Sequence, residues 1–132
     1  MNLNQQQKIR IGACAWSFED WREVFYPRDL PESRWLEFYA RHFPTVEIDS
    51  TFYAAPAPDA VRRWLDITPS HFRFSCKLPR EITHQCKLRD CSAELSGFLR
   101  AVEPLVPKLH VILVQLPPSF LPKEGKVPLR SF

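Results

Sequence analysis

The sequence predicts an α/β fold with a parallel sheet and the element order βαβαβαβ, either open or closed into a barrel. Four segments with strand-like patterning are separated by connections long enough to hold a helix, and parallel strands require such crossovers. The last segment, HVILVQL, is almost continuously apolar, which is typical of a parallel strand buried on both faces. The 132 residues, 45% hydrophobic and 25% charged, match the composition of one globular unit.

The first strand is predicted over residues 9–15, IRIGACA, where Gly12 permits close backbone approach. An aromatic-rich loop follows over residues 16–29. A helix is predicted from Pro31 to Pro44, because a set of apolar residues recurs at helical spacing: Trp35, Leu36, Phe38, Tyr39 and Phe43. The second strand is predicted over residues 46–50, where apolar and polar residues alternate.

A second helix is predicted to begin at Pro58 and to end at Thr68 and Pro69. Residues 71–78 alternate again, which predicts a third strand with Phe72, Phe74 and Cys76 on one side and Arg73, Ser75 and Lys77 on the other. A basic loop leads to a third helix over residues 92–103, whose inward positions are Leu95, Phe98, Leu99 and Val102. The fourth strand covers residues 110–116, and the tail begins one more helix.

The bulk composition excludes several classes of protein. A net charge of +3 permits an anionic ligand, but it is far below the dense basic patch of a dedicated nucleic-acid binder. Four cysteines without C-x-x-C spacing, in a chain without a secretory signal, predict reduced thiols and a cytoplasmic protein. No apolar run approaches the roughly 20 residues that span a bilayer. Residues 1–8 are polar and are predicted to be disordered.

The candidate site lies where the second strand ends. Glu47 and Asp49 share one face of that strand, and binding sites in folds that alternate strand and helix form where strands end and loops begin. The two carboxylates are predicted to act as acid or base, or as ligands for a metal or a sugar. The alternative is a structural ion pair with Lys77 or Arg73 on the neighbouring strand.

Four stretches of the chain together resemble the domain of unknown function 72 family, also called YecE-like. They are IGACAWSFEDWREVFYP, WLEFYARHFPTVEIDSTFY, FRFSCKLPREITH and VILVQLPPSF, and they cover most of residues 9–120 in the family's order and spacing. The resemblance implies a TIM-type (β/α) barrel of unestablished biochemical function. Its relation to barrel enzymes that act on sugars or nucleic acids is an analogy of fold alone.

The chain departs from the family pattern at two places and in its length. Cys14-Ala15-Trp16-Ser17-Phe18 stands where the family usually has Ser-Gly-Trp-Ser-Tyr, and Asp49 stands where it usually has asparagine. A complete barrel takes about 250 residues and eight strands. The resemblance therefore implies a truncated form, in which residues 9–132 are the N-terminal half of the barrel domain.

Further candidate residues follow from strand ends and from the matched stretches. Lys77 and His84 lie in family-matched motifs, and Lys77 joins Glu47 as a candidate catalytic residue. Trp16 and Tyr53 lie just past strand ends and are candidates for stacking on a sugar ring or a base, whereas for Phe52 packing of a loop is the favoured interpretation.

Gln115, near the end of the fourth strand, either binds a ligand or holds a neighbouring loop. No metal site is predicted, because the spacing of His84, Cys86 and Cys91 matches no familiar zinc pattern. With three glycines in the chain, Gly-rich phosphate loops are excluded.

Three functional hypotheses follow. The favoured one is a small anionic, sugar-like or nucleic-acid ligand bound at the C-terminal ends of the strands. The second is an enzyme of hydrolase or isomerase type that needs the missing half of the barrel, supplied by a homodimer or by a complementing chain. The third is a non-functional fragment. The sequence does not decide whether the protein is an enzyme, and it predicts no membrane association.

Overall fold

A three-stranded parallel sheet, in the order β1-β2-β3, lies at the centre of the fold. The structure is a computed structural model that describes residues 9–132, and the predicted disorder of residues 1–8 lies outside the described residues. The strands are β1 (Thr45–Ile48), β2 (Arg73–Lys77) and β3 (Leu109–Leu113). The helices are α1 (Trp35–His42), α2 (Pro58–Ile67), α3 (Ser92–Val102) and α4 (Pro122–Ser131). Helices and strands therefore alternate as predicted.

The core lies between one face of the sheet and the helices. Val46 and Ile48 of β1 and Phe74 and Cys76 of β2 are buried on this face, as the alternation of the sequence predicts. The helices contribute apolar residues at helical spacing, among them Trp35, Leu36, Tyr39, Val61, Phe98 and Val102. Proline at the first position of α2 starts that helix without losing a backbone hydrogen bond.

The predicted first strand, residues 9–15, is wrong in this structure. The segment runs beside β1, and the Glu47 N–H donates to the Ala13 carbonyl at 3.0 Å. A side chain stands in for the next backbone hydrogen bond between this segment and β1. The Tyr39 hydroxyl accepts a hydrogen bond from the Ala13 N–H at 2.7 Å and donates one to the Thr45 carbonyl at 3.0 Å. A helix residue thus takes the place of strand pairing.

Two predictions of burial are also wrong. Strand β3 is not buried on both faces, since Val111 is 50% exposed and Leu113 is 39% exposed. Both side chains lie on the face of the sheet opposite the helices, beside Ser75 and Lys77 of β2. Leu99 of α3, predicted to point inward, is exposed as well. Among residues 9–132, no helix is long and apolar enough to cross a membrane.

Candidate functional site

The C-terminal ends of β1 and β2 bring three charged side chains together. Lys77 Nζ donates a hydrogen bond to Asp49 Oδ1 at 2.5 Å and lies 3.5 Å from Glu47 Oε1. The three side chains are only partly accessible, with exposures of 18% for Lys77, 22% for Glu47 and 37% for Asp49. The two carboxylates therefore share one ammonium, as the ion-pair interpretation predicts for Lys77, at the end of the sheet where sites form.

The turn that follows β1 positions this cluster. Asp49 lies in a 3₁₀ turn, Asp49–Phe52, rather than in the strand where the alternation of the sequence placed it. The hydroxyl of the buried Thr51 lies 2.7 Å from the Ile48 carbonyl oxygen and 2.9 Å from that of Lys77, and it accepts a hydrogen bond from the Lys77 N–H at 3.0 Å. One side chain thus joins the ends of β1 and β2 and fixes where Lys77 emerges.

The surroundings of Lys77 keep its ammonium charged. The hydrogen bond to Asp49 raises the pKa of Lys77, and the charges of Asp49 and Glu47 raise it further, against the opposing effect of burial. A lysine whose pKa is raised is a poor nucleophile and a poor base, because both roles need the neutral amine. Lys77 is therefore suited to donate hydrogen bonds and to supply a fixed positive charge.

Aromatic rings flank the charged cluster on one side. The Phe52 ring centroid lies 5.9 Å from Lys77 Nζ and 5.1 Å from the centroid of the His84 ring. The Tyr53 ring meets Phe52 edge-on at 5.2 Å and is otherwise exposed. His84 Nδ1 is hydrogen-bonded to the Thr83 hydroxyl at 2.9 Å. The structure therefore brings His84 and Tyr53 to the neighbourhood of Lys77 through Phe52.

Two predicted ligand-binding residues are not among the contacts of this cluster. Trp16 packs against Trp64 of α2, with ring centroids 5.6 Å apart, and its carbonyl accepts a hydrogen bond from the Tyr26 hydroxyl. It is thus part of the packing behind the sheet. Gln115 is exposed two residues beyond the end of β3. Its role in binding stays a prediction.

A groove of about 340 Å³ runs along the open face of the sheet beside the cluster. Glu47 lines this groove together with residues from all three strands and from the segment beside β1: Arg10, Thr45, Ser75, His110, Val111 and Leu113. A ligand in the groove would meet the Glu47 carboxylate, the hydroxyls of Thr45 and Ser75, and apolar surface on β3. Glu47 is thus the residue that connects the groove to Lys77.

Sequence reasoning missed several contributors to this region. Thr51 lies directly after the predicted strand, and a hydroxyl residue at that position could have been recognised as a link between neighbouring strand ends. Arg10 could have been assigned to the face of Glu47, because it lies in a segment that alternates beside β1. His110 carried no distinct signal, since its neighbours are uniformly apolar.

The cysteines and other metal-binding side chains form no cluster at this site. Cys14, Cys76, Cys86 and Cys91 are all free thiols, and burial raises the pKa of Cys76 to about 12. Within residues 9–132, no three side chains of histidine, cysteine, aspartate or glutamate are grouped closely enough to hold a metal ion.

Comparison with known proteins places the chain among sequences without an established activity. The profile of the family described as "Protein of unknown function DUF72" matches residues 10–132. The chain is 40% identical over 116 residues to YecE of Escherichia coli K12, covering 88% of this chain and 40% of YecE. It is 31% identical over 125 residues to YunF of Bacillus subtilis, covering 90% of this chain and 43% of YunF.

Solved structures of DUF72 proteins are similar as well. A crystal structure from Thermotoga maritima matches with a TM-score of 0.77 at 33% identity, covering 92% of this chain and 51% of that one. One from Enterococcus faecalis matches with a TM-score of 0.63 at 31% identity, covering 73% of this chain and 38% of that one. The chain thus spans about 40% of the length of YecE and about half of the Thermotoga chain.

Proposed function

The chain belongs to the DUF72 family, whose function is not established, and we propose that it binds a small sugar-like ligand at the C-terminal ends of β1 and β2. The observation that carries this proposal is the sharing of one ammonium, that of Lys77, by the carboxylates of Glu47 and Asp49. Such a cluster offers several hydrogen-bond acceptors and one strong donor at close range. Neighbouring hydroxyls of a sugar, which both donate and accept, match this arrangement.

The sequence left anionic, sugar-like and nucleic-acid ligands as alternatives, and the charge of the cluster favours a neutral ligand among them. Two carboxylates around one lysine leave a negative excess, so a phosphate or carboxylate would meet repulsion as well as attraction. Binding of a nucleic-acid backbone depends on cations that are free to replace counterions, and Lys77 is already paired. A sugar avoids both costs, and the groove beside Glu47 offers further hydroxyls from Thr45 and Ser75.

A binding titration with a panel of neutral monosaccharides tests the proposal, with NMR shifts of the β1 and β2 amides as the readout. We expect saturable shifts near Glu47 and Lys77, and at least about tenfold weaker binding in Glu47→Gln, since hydrogen bonds to charged groups are the strong ones. Asp59→Asn is the matched control, because it removes a carboxylate from an exposed ion pair on α2. Equal affinities in the unmodified chain and both variants, or saturable shifts with anionic sugars but not with neutral ones, would refute a neutral sugar-like ligand at this cluster.

A catalytic role is the second candidate, and the environment of Glu47 favours it. The Glu47 carboxylate lies 3.5 Å from Lys77 Nζ and lines the groove, so it is placed to act as a base towards a ligand bound there. Lys77 would then stabilise negative charge developing on a ligand oxygen. This assignment makes Glu47 the base and Lys77 the electrostatic partner of an isomerase-like or hydrolase-like reaction.

Exchange of carbon-bound hydrogen on a keto-sugar for solvent deuterium distinguishes catalysis from binding. Exchange that is lost in Glu47→Gln and partly restored in Glu47→Asp would support proton abstraction. Binding without exchange would leave the chain a binding protein.

The parallel order β1-β2-β3, the alternation of strands with helices and the coverage of half the Thermotoga chain support the N-terminal half of a (β/α) barrel. The open face bearing Val111 and Leu113 would then be covered by strands of a second half, from a longer chain, a complementing chain or a second copy. The free thiols support a cytoplasmic location.

Light scattering combined with thermal unfolding tests whether a second copy of the chain completes the barrel. A discrete dimer with a cooperative transition supports completion by a second copy, whereas aggregation with a non-cooperative transition supports the non-functional fragment.

A further inference from the structure

The imidazole of His84 lies close to the Lys77 cluster. The Phe52 ring contacts both, since its centroid lies 5.1 Å from the His84 centroid and 5.9 Å from Lys77 Nζ. The imidazole is therefore within about 11 Å of the ammonium, which is the sum of these two distances. His84 belongs to a short π-helical turn, Glu81–Gln85. Such turns are rare in proteins and are frequently found at functional sites.

The two ring nitrogens of His84 have different surroundings. Nδ1 lies 2.9 Å from the hydroxyl oxygen of Thr83 and is hydrogen-bonded to it. Nε2 makes no hydrogen bond with any described residue, and it is not a buried atom. The protein thus holds one nitrogen of the ring and leaves the other accessible to a ligand.

The Thr83 hydroxyl fixes which nitrogen carries the proton. Thr83 is fully buried, and its hydroxyl donates to the Pro79 carbonyl at 3.2 Å, one turn earlier in the chain. A hydroxyl has a single proton, so it can only accept from His84, and Nδ1 must be the donor. In the neutral ring the proton then lies on Nδ1, and Nε2 carries a lone pair. The opposite assignment would leave the contact between Thr83 and Pro79 without a proton.

His42 provides a reference for this assignment within the same chain. Its Nδ1 lies 2.9 Å from the Phe38 carbonyl oxygen on α1, and its ring packs against Phe25 and Phe38. A carbonyl oxygen can only accept a hydrogen bond, so Nδ1 of neutral His42 must carry the proton. The two histidines are therefore expected to share one tautomer, although His42 lies on a helix among aromatic rings rather than beside the cluster.

We propose that Nε2 of His84 accepts a hydrogen bond from a hydroxyl of the ligand bound at the C-terminal ends of β1 and β2. The inference rests on the sugar-like ligand proposed for the Lys77 cluster. It adds an uncharged acceptor to the two carboxylates, and Phe52 supplies an apolar surface that contacts both the imidazole and the ammonium. Thr83 is a positioning residue, because it acts on the ligand only through the tautomer of His84.

The tautomer is tested in the ligand-free chain by heteronuclear NMR of the ring nitrogens, at an alkaline pH at which histidine side chains are neutral. His84 is expected to give the same pattern of protonated Nδ1 and unprotonated Nε2 as His42. Thr83→Val keeps the shape of the buried side chain but removes the acceptor, and it should shift His84 towards the form protonated on Nε2. Thr83→Ser should retain the original pattern. A proton on Nε2 of His84 in the unmodified chain would overturn the proposal.

Titration with neutral monosaccharides (D-glucose, D-galactose, D-mannose and D-xylose) tests the role in binding. We expect the His84 Nε2 signal to shift with the same saturation as the amides near Glu47 and Lys77. His84→Phe keeps an aromatic ring against Phe52 but removes the acceptor, and it should bind roughly two- to tenfold more weakly, whereas His42→Phe on α1 should bind as the unmodified chain does.

The outcomes separate this role from the function proposed for the cluster. Saturable amide shifts near Glu47 without a change at His84 Nε2, or equal affinities of His84→Phe and His42→Phe, would overturn the role of His84 and leave the sugar-like ligand in place. A lack of saturable shifts at those amides with every sugar would instead refute the ligand proposed for the cluster, and the role of His84 with it.

Discussion

The ion pair between Lys77 and Asp49 gives the most direct prediction about stability. Replacing Lys77 by methionine keeps an unbranched side chain that is one atom shorter and removes the charge, so Asp49 loses its hydrogen-bond donor and Glu47 its neighbouring cation. Net contributions of hydrogen bonds to charged groups are about 1.5–3 kcal/mol. Because Asp49 is 37% exposed and solvent screens it, we expect a coupling at the lower end of that range, about 1.5 kcal/mol.

A double-mutant cycle measures this coupling. Lys77→Met, Asp49→Asn and the double variant are unfolded in urea, and the coupling free energy is the departure from additivity. The control cycle uses Arg62 and Asp59 on α2, whose side chains are 70% and 91% exposed, and for which we expect roughly 0.2–1 kcal/mol. A coupling at Lys77 no larger than that of the control would refute the structural argument for a partly desolvated, charge-assisted bond.

The same pair predicts the direction of the pH dependence. The pKa of Lys77 is raised in the folded state above its ordinary value of 10.5, mainly by the hydrogen bond to Asp49. The folded protein therefore holds the proton more tightly, and the stabilisation is complete below pH 10.5 and is lost as the pH rises through the folded value. The measured coupling should decline at alkaline pH, and a coupling that increases there would contradict the assignment.

Three further predictions use other parts of the fold. Thr51→Val leaves a backbone N–H of β2 without its acceptor and should cost about 1–3 kcal/mol in urea unfolding, whereas Thr51→Ser should retain most of the stability; equal losses would contradict the role of the hydroxyl. Gly12→Ala places a Cβ 2.0 Å from the Thr45 carbonyl oxygen of β1 and should lower the free energy of unfolding by about 1–3 kcal/mol, whereas Gly97→Ala in α3 meets open space and should raise it by about 1 kcal/mol. A tolerated Gly12→Ala would show that the segment before β1 can move away from the strand. Cys14 is exposed and should be the first cysteine to react with a disulfide-forming thiol reagent, whereas Cys76 is buried with a pKa of about 12 and should react only as the protein unfolds. Mass spectrometry of the modified peptides checks the order of reaction.

Local patterning was sufficient for much of the fold. The alternation in β1 and β2 assigned Val46, Ile48, Phe74 and Cys76 to the buried face, and proline at the start of α2 marked where that helix begins. These features depend on residues close together in the chain, since a strand has a period of two and a helix is started by its own first turn. The resemblance carried by four stretches of sequence identified the family for the same reason, because it is a property of the sequence itself.

Tertiary structure decided the features that depend on residues far apart in the chain. Tyr39 lies 26 residues after Ala13, and its hydroxyl replaces a hydrogen bond that the segment before β1 would otherwise make with the strand. Lys77 lies 28 residues after Asp49, and the two form an ion pair only because β1 and β2 are neighbours in the sheet. The exposure of Val111 on β3 likewise depends on what covers the open face of the sheet. Hydrogen bonds, ion pairs and burial of this kind form between elements, and periodicity within one element contains no information about the element it meets.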